Sequence, residues 1–229
     1  YFYPPLFSAG ALIEAVHARG ATSLAVVPTI LRALLDAPSR DGTYLFPGLD
    51  SLYCFGAPIL PDERRRARAT LSRHFVEGYS SSLAGRMTVL YGADIDARPE
   101  TVGRVLPHVT LEIVGEDDRP LPAGEVGAIR VRSPAVARAI YGAARDTGDQ
   151  LKNGWAYPGD TGAVDGDGFL QLMGRSSDMI IRGGVNVHPS EVEAVLAELE
   201  GVKDVAVVGF AKSREGEDIA AFVVSSPEL

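Results

Sequence analysis

The 229-residue chain has a single cysteine, no long apolar run and no surplus of basic side chains. Cys54 cannot close an internal disulfide, so a reducing cytoplasm is the expected compartment. The apolar stretch from Val205 to Phe210 is too short to span a membrane and is bounded by Asp204 and Lys212. With 22 Lys and Arg against 30 Asp and Glu, the net charge of −8 argues against nucleic acid as the main partner. A signal peptide is not expected, and no internal repeat is read in the sequence. The first residue is not Met, and Tyr1-Phe2-Tyr3-Pro4-Pro5 reads as an interior segment, so a truncated or processed piece is expected. What remains is an ordinary globular composition, 46% hydrophobic and 23% charged, long enough for one large domain or two smaller ones.

The first hundred residues alternate helix and strand signals. Leu12, Ile13 and Val16 recur at helical spacing over Ala9–Arg19, and Ser23–Val27 is a short β-branched run. Pro28 and Thr29 open a second helix through Leu31, Leu34 and Leu35. Ser51–Phe55 predicts a buried strand, Pro61-Asp-Glu starts an Arg-rich helix to about Arg73, and His74–Tyr79 predicts the next strand. Such alternation implies parallel pairing with helices on the faces.

After about Arg98 the texture changes. Gly103–Leu106, Leu111–Val114, Val126–Arg132 and Phe169–Leu172 are short alternating segments separated by turn clusters, the pattern of an antiparallel sheet or small barrel. From Ser176 the alternation returns, with strands at Met179–Arg182, Asp204–Phe210 and Ile219–Val224 around a helix at Ser190–Leu199. A boundary falls near Arg175–Asp178.

The densest stretch runs from Gly154 to Glu193. It holds Tyr157-Pro-Gly-Asp160, Gly174-Arg175, the bend Gly183-Gly184 and the helix start Pro189-Ser-Glu-Val-Glu193. A carboxylate on a tight turn can accept from paired sugar hydroxyls, and a nearby Arg can donate to the same sugar or to phosphate. Upstream, Gly56-Ala57-Pro58 and Tyr79-Ser80-Ser81-Ser82-Leu83 each follow a strand. Arg64, Arg65, Arg66 and Arg68 read as a solvated helix face. Asp165 and Asp167 lack the further acids of a calcium loop and read as a hairpin turn. Ser190 reads as a helix cap or first-turn residue, with Glu191 and Glu193 at the helix's positive end.

As a set these motifs resemble the acyl-adenylate-forming enzymes, which include the AMP-forming acyl-CoA synthetases. The resemblance implies an α/β fold. Residues 1–98 would be the α/β part of a large adenylating domain, with a parallel α/β layer. Residues 99–175 would form its small antiparallel β-barrel, and 176–229 the start of a small α+β C-terminal domain.

It also implies roles. Gly56, Ala57 and Pro58 would form a shelf under adenine. Tyr79 would stack on that ring, and the Ser82 hydroxyl would donate to phosphate. Asp160 would bind both ribose hydroxyls with Arg175 beside it, Ser177 would stand at the domain hinge, and Gly184 would line the pantetheine path. Leu83 stands where relatives carry a carboxylate that helps hold Mg²⁺, and an aliphatic side chain cannot ligate a hard cation. Neither the phosphate loop ending in Pro-Lys-Gly nor the C-terminal catalytic lysine of such enzymes is found, so no catalytic residue is assigned and the chain is expected to be inactive alone.

The implied reaction is carboxylic acid, ATP and coenzyme A to acyl-CoA, AMP and pyrophosphate, with Mg²⁺ as cofactor. Fatty and aromatic acids serve equally well as substrate, and a homo-oligomer is admitted. The alternatives are an adenylation domain loading a carrier protein, and a non-catalytic module binding nucleotide or a partner.

Overall fold

A computed structural model describes residues 8–37, 43–140, 150–182, 185–212 and 216–225. They fall into two compact units. The first gathers the described residues of Tyr1–Thr110, Arg132–Ala137 and Asp167–Gln171; the second those of Leu111–Val131, Arg138–Gly166 and Leu172–Leu229.

In the first unit, Ser8 caps helix α1 (Ala9–Ala18), its Oγ accepting from the Ala11 amide at 3.4 Å. Strand β1 (Ser23–Val26) leads into α2 (Pro28–Leu35), where Pro28 occupies the first turn and needs no amide partner. Strand β2 (Ser51–Cys54) is followed by α3 (Pro61–Arg66), a wider π turn at Ala67–Leu71, and β3 (Phe75–Glu77). Helical structure therefore ends at Leu71, short of Arg73. The Thr70 hydroxyl donates to the Arg66 carbonyl at 2.8 Å, and Ser72 N reaches back five residues to Ala67 at 3.1 Å, which unwinds the last turn.

A small hairpin of β4 (Ser80–Ser81) and β5 (Gly85–Arg86) precedes β6 (Thr88–Tyr91), α4 (Asp94–Ala97) and β7 (Arg104–Val105). The sheet order is β1-β2-β3-β6-β7. The expected parallel pairing holds for β1, β2 and β3, but β6 and β7 join antiparallel. The chain returns from β3 through a hairpin, and a connection that short cannot cross over to make a parallel neighbour. The core packs Leu31, Leu34, Leu52, Phe46 and Phe75, none more than 1% exposed, between this sheet and its helices. Each such side chain contributes about 1.5–3 kcal/mol of burial.

The second unit draws mainly on β8 (Thr110–Val114), β9 (Gly127–Arg132), β10 (Leu151–Lys152), β11 (Trp155–Ala156), β12 (Asp160–Val164) and β13 (Leu170–Arg175), of which Thr110, Arg132, Leu170 and Gln171 belong to the first. They form a sheet ordered β10-β11-β9-β12-β13, with β8 also on β9. The pairings of β9 with β11 and β12 are antiparallel, as the short alternating segments suggested. Asp160 opens a strand here instead of sitting inside a turn. Asp165 and Asp167 lie in the connection between β12 and β13, the hairpin reading of that loop.

After a 3-10 turn at Ser176–Asp178 come β14 (Ile180–Arg182), β15 (Val185–Val187), α5 (Pro189–Ala197), β16 (Val202–Lys212) and β17 (Gly216–Ser225). These strands make a sheet ordered β15-β14-β17-β16. The helix-cap position belongs to His188 and Ser190 stands in the first turn, its hydroxyl donating to the Met173 carbonyl. Glu193 Oε1 accepts from Val207 N at 2.8 Å, tying α5 to β16. Among the described residues no helix is long and apolar enough to cross a membrane.

Candidate functional site

Three parallel strands of the first unit end together. Cys54 of β2 lies opposite Val26 of β1 and Glu77 of β3, so Val27, Phe55 and Gly78 leave the sheet at one end. The carboxyl ends of such strands are where open α/β sheets bind ligands. Phe55 N continues the ladder to Val26 O at 3.2 Å, and Gly78 N to Cys54 O at 3.3 Å. Gly56 then turns the chain at φ +100°, a backbone that side chains rarely adopt, and Gly56, Ala57 and Pro58 stay exposed. A side chain at Gly78 would begin 2.6 Å from Thr88 O, so a glycine there is needed to bring β3 against β6.

Tyr79 follows Gly78 half-buried, with its amide donating to Thr88 Oγ1 at 3.1 Å and its carbonyl accepting from Met87 N at 2.9 Å. The structure thus brings Tyr79 and Gly56-Ala57-Pro58 to the same end of adjacent strands. Ser82 is exposed at the tip of the β4–β5 hairpin, a turn held by Ala84 N donating to Ser81 Oγ at 3.2 Å. Leu83 is half-buried, and its carbonyl accepts from Ala137 N at 2.7 Å. Among the described residues no group of three or more His, Cys, Asp and Glu could hold a metal. Leu83, whose aliphatic side chain has no oxygen donor, does not itself fit a Mg²⁺ ligand.

Beneath this end lies a buried ion pair that sequence reasoning missed. Arg64 is 5% exposed, not part of a solvated face. Its guanidinium contacts the Glu77 carboxylate, with one hydrogen bond at 3.2 Å, and donates to the Pro99 carbonyl at 2.6 Å. Its neighbours Arg65, Arg66 and Arg68 do lie on the more open side, paired with Asp62, Asp36 and Asp96. The available signal was Glu77, an acid inside an otherwise apolar strand.

Burial pushes the Glu77 carboxyl up to about 7, against the downward pull of Arg64. Burial likewise pushes the Cys54 thiol up to about 12, which removes it as a nucleophile. Because the folded state holds the Glu77 proton more tightly than the unfolded chain, this group's stabilisation is complete below about 4.5 and lost as pH rises through about 7. The thermal midpoint is expected to fall by a few °C between pH 5 and 8, and Glu77→Gln to flatten that slope. Identical slopes for the two proteins would refute the titration.

In the second unit the first residue of β12 and the last of β13 come side by side. Gly159, at φ +86°, turns the chain into β12, and its carbonyl accepts from Ser176 N at 2.9 Å. Thr161 Oγ1 donates to Gly174 O at 3.3 Å and closes the same strand ends. Arg175 Nε is consequently 3.6 Å from Asp160 Oδ1, while an Arg175 terminal amino group donates to Pro158 O at 3.3 Å. The Asp160 side chain is 18% exposed and that of Arg175 60%, so a largely sheltered carboxylate sits beside a solvent-reaching cation. Fifteen residues separate the two in sequence; the hairpin joins them.

Ser177 lies in the 3-10 turn, exposed, its hydroxyl donating to Asp178 Oδ1 at 2.8 Å. Gly184 lies outside the described residues.

The family model described as AMP-binding enzyme matches residues 1–141, and the one described as AMP-binding enzyme C-terminal domain matches 191–228. An indoleacetate–CoA ligase of Aromatoleum aromaticum is 33% identical over 223 residues, which is 96% of this chain and 43% of that protein. Among solved structures, the amide bond synthetase McbA from Marinactinospora thermotolerans is similar with a TM-score of 0.88 at 32% identity, over 97% of this chain and 46% of that one. ATP-bound MatB from Rhodopseudomonas palustris gives 0.83 at 28% identity, over 98% and 44%. The chain thus spans less than half the length of these relatives.

Proposed function

The chain belongs to the AMP-binding enzyme family, and from that premise we propose that the complete protein is an AMP-forming acid–thiol ligase. A carboxylate oxygen of the acid attacks the α-phosphorus of ATP, the α–β phosphoanhydride breaks, and pyrophosphate departs with the bonding electrons. The thiol of coenzyme A, its proton passing to solvent, then attacks the acyl carbon, and AMP leaves. Fatty and aromatic acids are equally admitted as substrate. The lone, buried Cys54 supports a cytoplasmic setting.

The observation that carries this reading is Asp160 beside Arg175, a sheltered carboxylate at 3.6 Å from a cation. We assign Asp160 to the two ribose hydroxyls and Arg175 to the same sugar. The exposed backbone of Gly56-Ala57-Pro58 supports adenine, the Tyr79 ring stacks on it, and the Ser82 hydroxyl donates to phosphate. Gly184 is assigned to the pantetheine path. Mg²⁺ would be held by the phosphate oxygens of ATP and by an oxygen other than one from Leu83, and would neutralise phosphate charge.

The test is acid-dependent exchange of pyrophosphate into ATP by the complete protein. Exchange with at least one carboxylic acid supports adenylation. ATP binding with no exchange across a broad panel would favour the non-catalytic reading that Leu83 suggests. An acceptor other than coenzyme A is a second reading, supported by the likeness to an amide bond synthetase. Acyl transfer to an amine or to a carrier protein, but not to coenzyme A, would select it.

The divide after Arg175, with Ser177 as hinge, is part of the proposal. Ser177→Pro fixes φ near −65° and removes a backbone donor. It is expected to spare pyrophosphate exchange and depress acyl transfer, because a fixed φ holds the junction in one pose. Equal loss of both half-reactions would make Ser177 a folding position.

A further inference from the structure

Arg86 closes β5, opposite Ser80, and is exposed. Its guanidinium carbon lies 3.7 Å from the centroid of the Tyr53 ring. That ring is itself fixed. Tyr53 is 8% exposed, its hydroxyl donates to the Gly78 carbonyl at 3.5 Å, and it stacks on Phe55 at 5.0 Å and 15°. Tyr53, Phe55 and Gly78 belong to the strand ends that carry Gly56-Ala57-Pro58 and Tyr79, so the cation is held at that end of the sheet.

Stacking uses the face of a guanidinium and leaves its N–H donors, which lie in its plane, directed outward. Among the described residues, no carboxylate is ion-paired with Arg86 and no carbonyl accepts from it. Arg64 and Arg68 on the same unit are, by contrast, neutralised by Glu77 and Asp96. A planar donor fork, pinned by an aromatic ring and without an acidic partner, is suited to an oxyanion, because little side-chain freedom remains to be lost on binding.

We infer that Arg86 is an anion-recognising residue of the nucleotide-and-acid site, donating to oxyanion oxygens of the bound ligand. The inference rests on the function proposed above. The oxyanion has two sources, the phosphate of the nucleotide or a carboxylate of the acid substrate, and one experiment separates them.

Arg86→Gln and Arg86→Lys are made in the complete protein. Each is titrated with AMP and with adenosine, and the KM for the acid is measured by pyrophosphate exchange. If phosphate is the partner, Arg86→Gln weakens AMP by ~10–100-fold and leaves adenosine unchanged. If a carboxylate is the partner, AMP binding holds and the KM for the acid rises by a similar factor. Arg86→Lys, which keeps the charge but not the fork, falls between wild type and Gln in either case. Unchanged AMP affinity and unchanged KM in Arg86→Gln would overturn the inference. A lowered thermal midpoint without either change would do the same, leaving Arg86 as packing for Tyr53. Wild-type protein that binds neither AMP nor adenosine refutes the functional reading itself, and the Arg86 inference falls with it.

Discussion

Asp160→Ala in the complete protein is expected to weaken AMP binding by roughly 10²–10⁴-fold. The substitution removes a charged acceptor shared by two ribose hydroxyls, and hydrogen bonds to charged groups contribute roughly 1.5–3 kcal/mol each. The local fold should survive. The β12–β13 ends are closed by Thr161 Oγ1 on Gly174 O and by Ser176 N on Gly159 O, neither of which uses the Asp160 side chain. Arg175, 60% exposed, can turn to solvent when its neighbour is lost. Calorimetric titration with AMP checks the result, with the thermal midpoint as control. Affinity within threefold of wild type would make Asp160 a structural strand residue and withdraw its ribose role.

The second large effect is on stability. Arg64→Ala leaves the Glu77 carboxylate, 4% exposed, and the Pro99 carbonyl without the cation that faces them. Breaking one side of a buried pair costs about 3–5 kcal/mol, whereas replacing both partners by well-packed apolar groups is often neutral. Urea unfolding is expected to show a loss in that range for Arg64→Ala and a much smaller one for Arg64→Met combined with Glu77→Leu. The single variant should also recover stability as pH falls, because protonating Glu77 removes the stranded charge. A loss below about 1 kcal/mol for Arg64→Ala would mean that water reaches the pair and screens it.

Much of this architecture was legible residue by residue, and the departures have physical causes. Pro28 and Pro61 mark helix starts because a ring nitrogen without a proton is harmless only in a first turn, and both stand there. The β2 run reads as continuous and apolar because that strand is interior to the sheet and its last three residues are buried, whereas edge strand β1 is mostly exposed. Two-residue strands such as β10 and β11 carry no readable period, and their pairing follows from tertiary context. The direction of β6 was hidden for another reason: nothing in Ser80–Arg86 distinguishes a hairpin from a loop except the left-handed Gly85 at φ +71°. Arg64 was misjudged because charge in a helix reads as exposure, while the partner that permits burial stands 13 residues away on strand β3. At the candidate site, Asp160 and Arg175 each stand out by motif, but the motifs do not show that they are neighbours. That Asp160 and Arg175 meet depends on the length of the β12–β13 hairpin, a geometric fact about the turn between them.

The most direct measurement is a paired titration of ATP and 2′-deoxy-ATP into wild type and Asp160→Ala. If Asp160 holds the ribose, wild type binds ATP roughly tenfold or more tightly than the deoxy analogue, and the variant binds both equally and weakly. A variant that keeps the wild-type preference for the 2′-hydroxyl would contradict the assignment of this site.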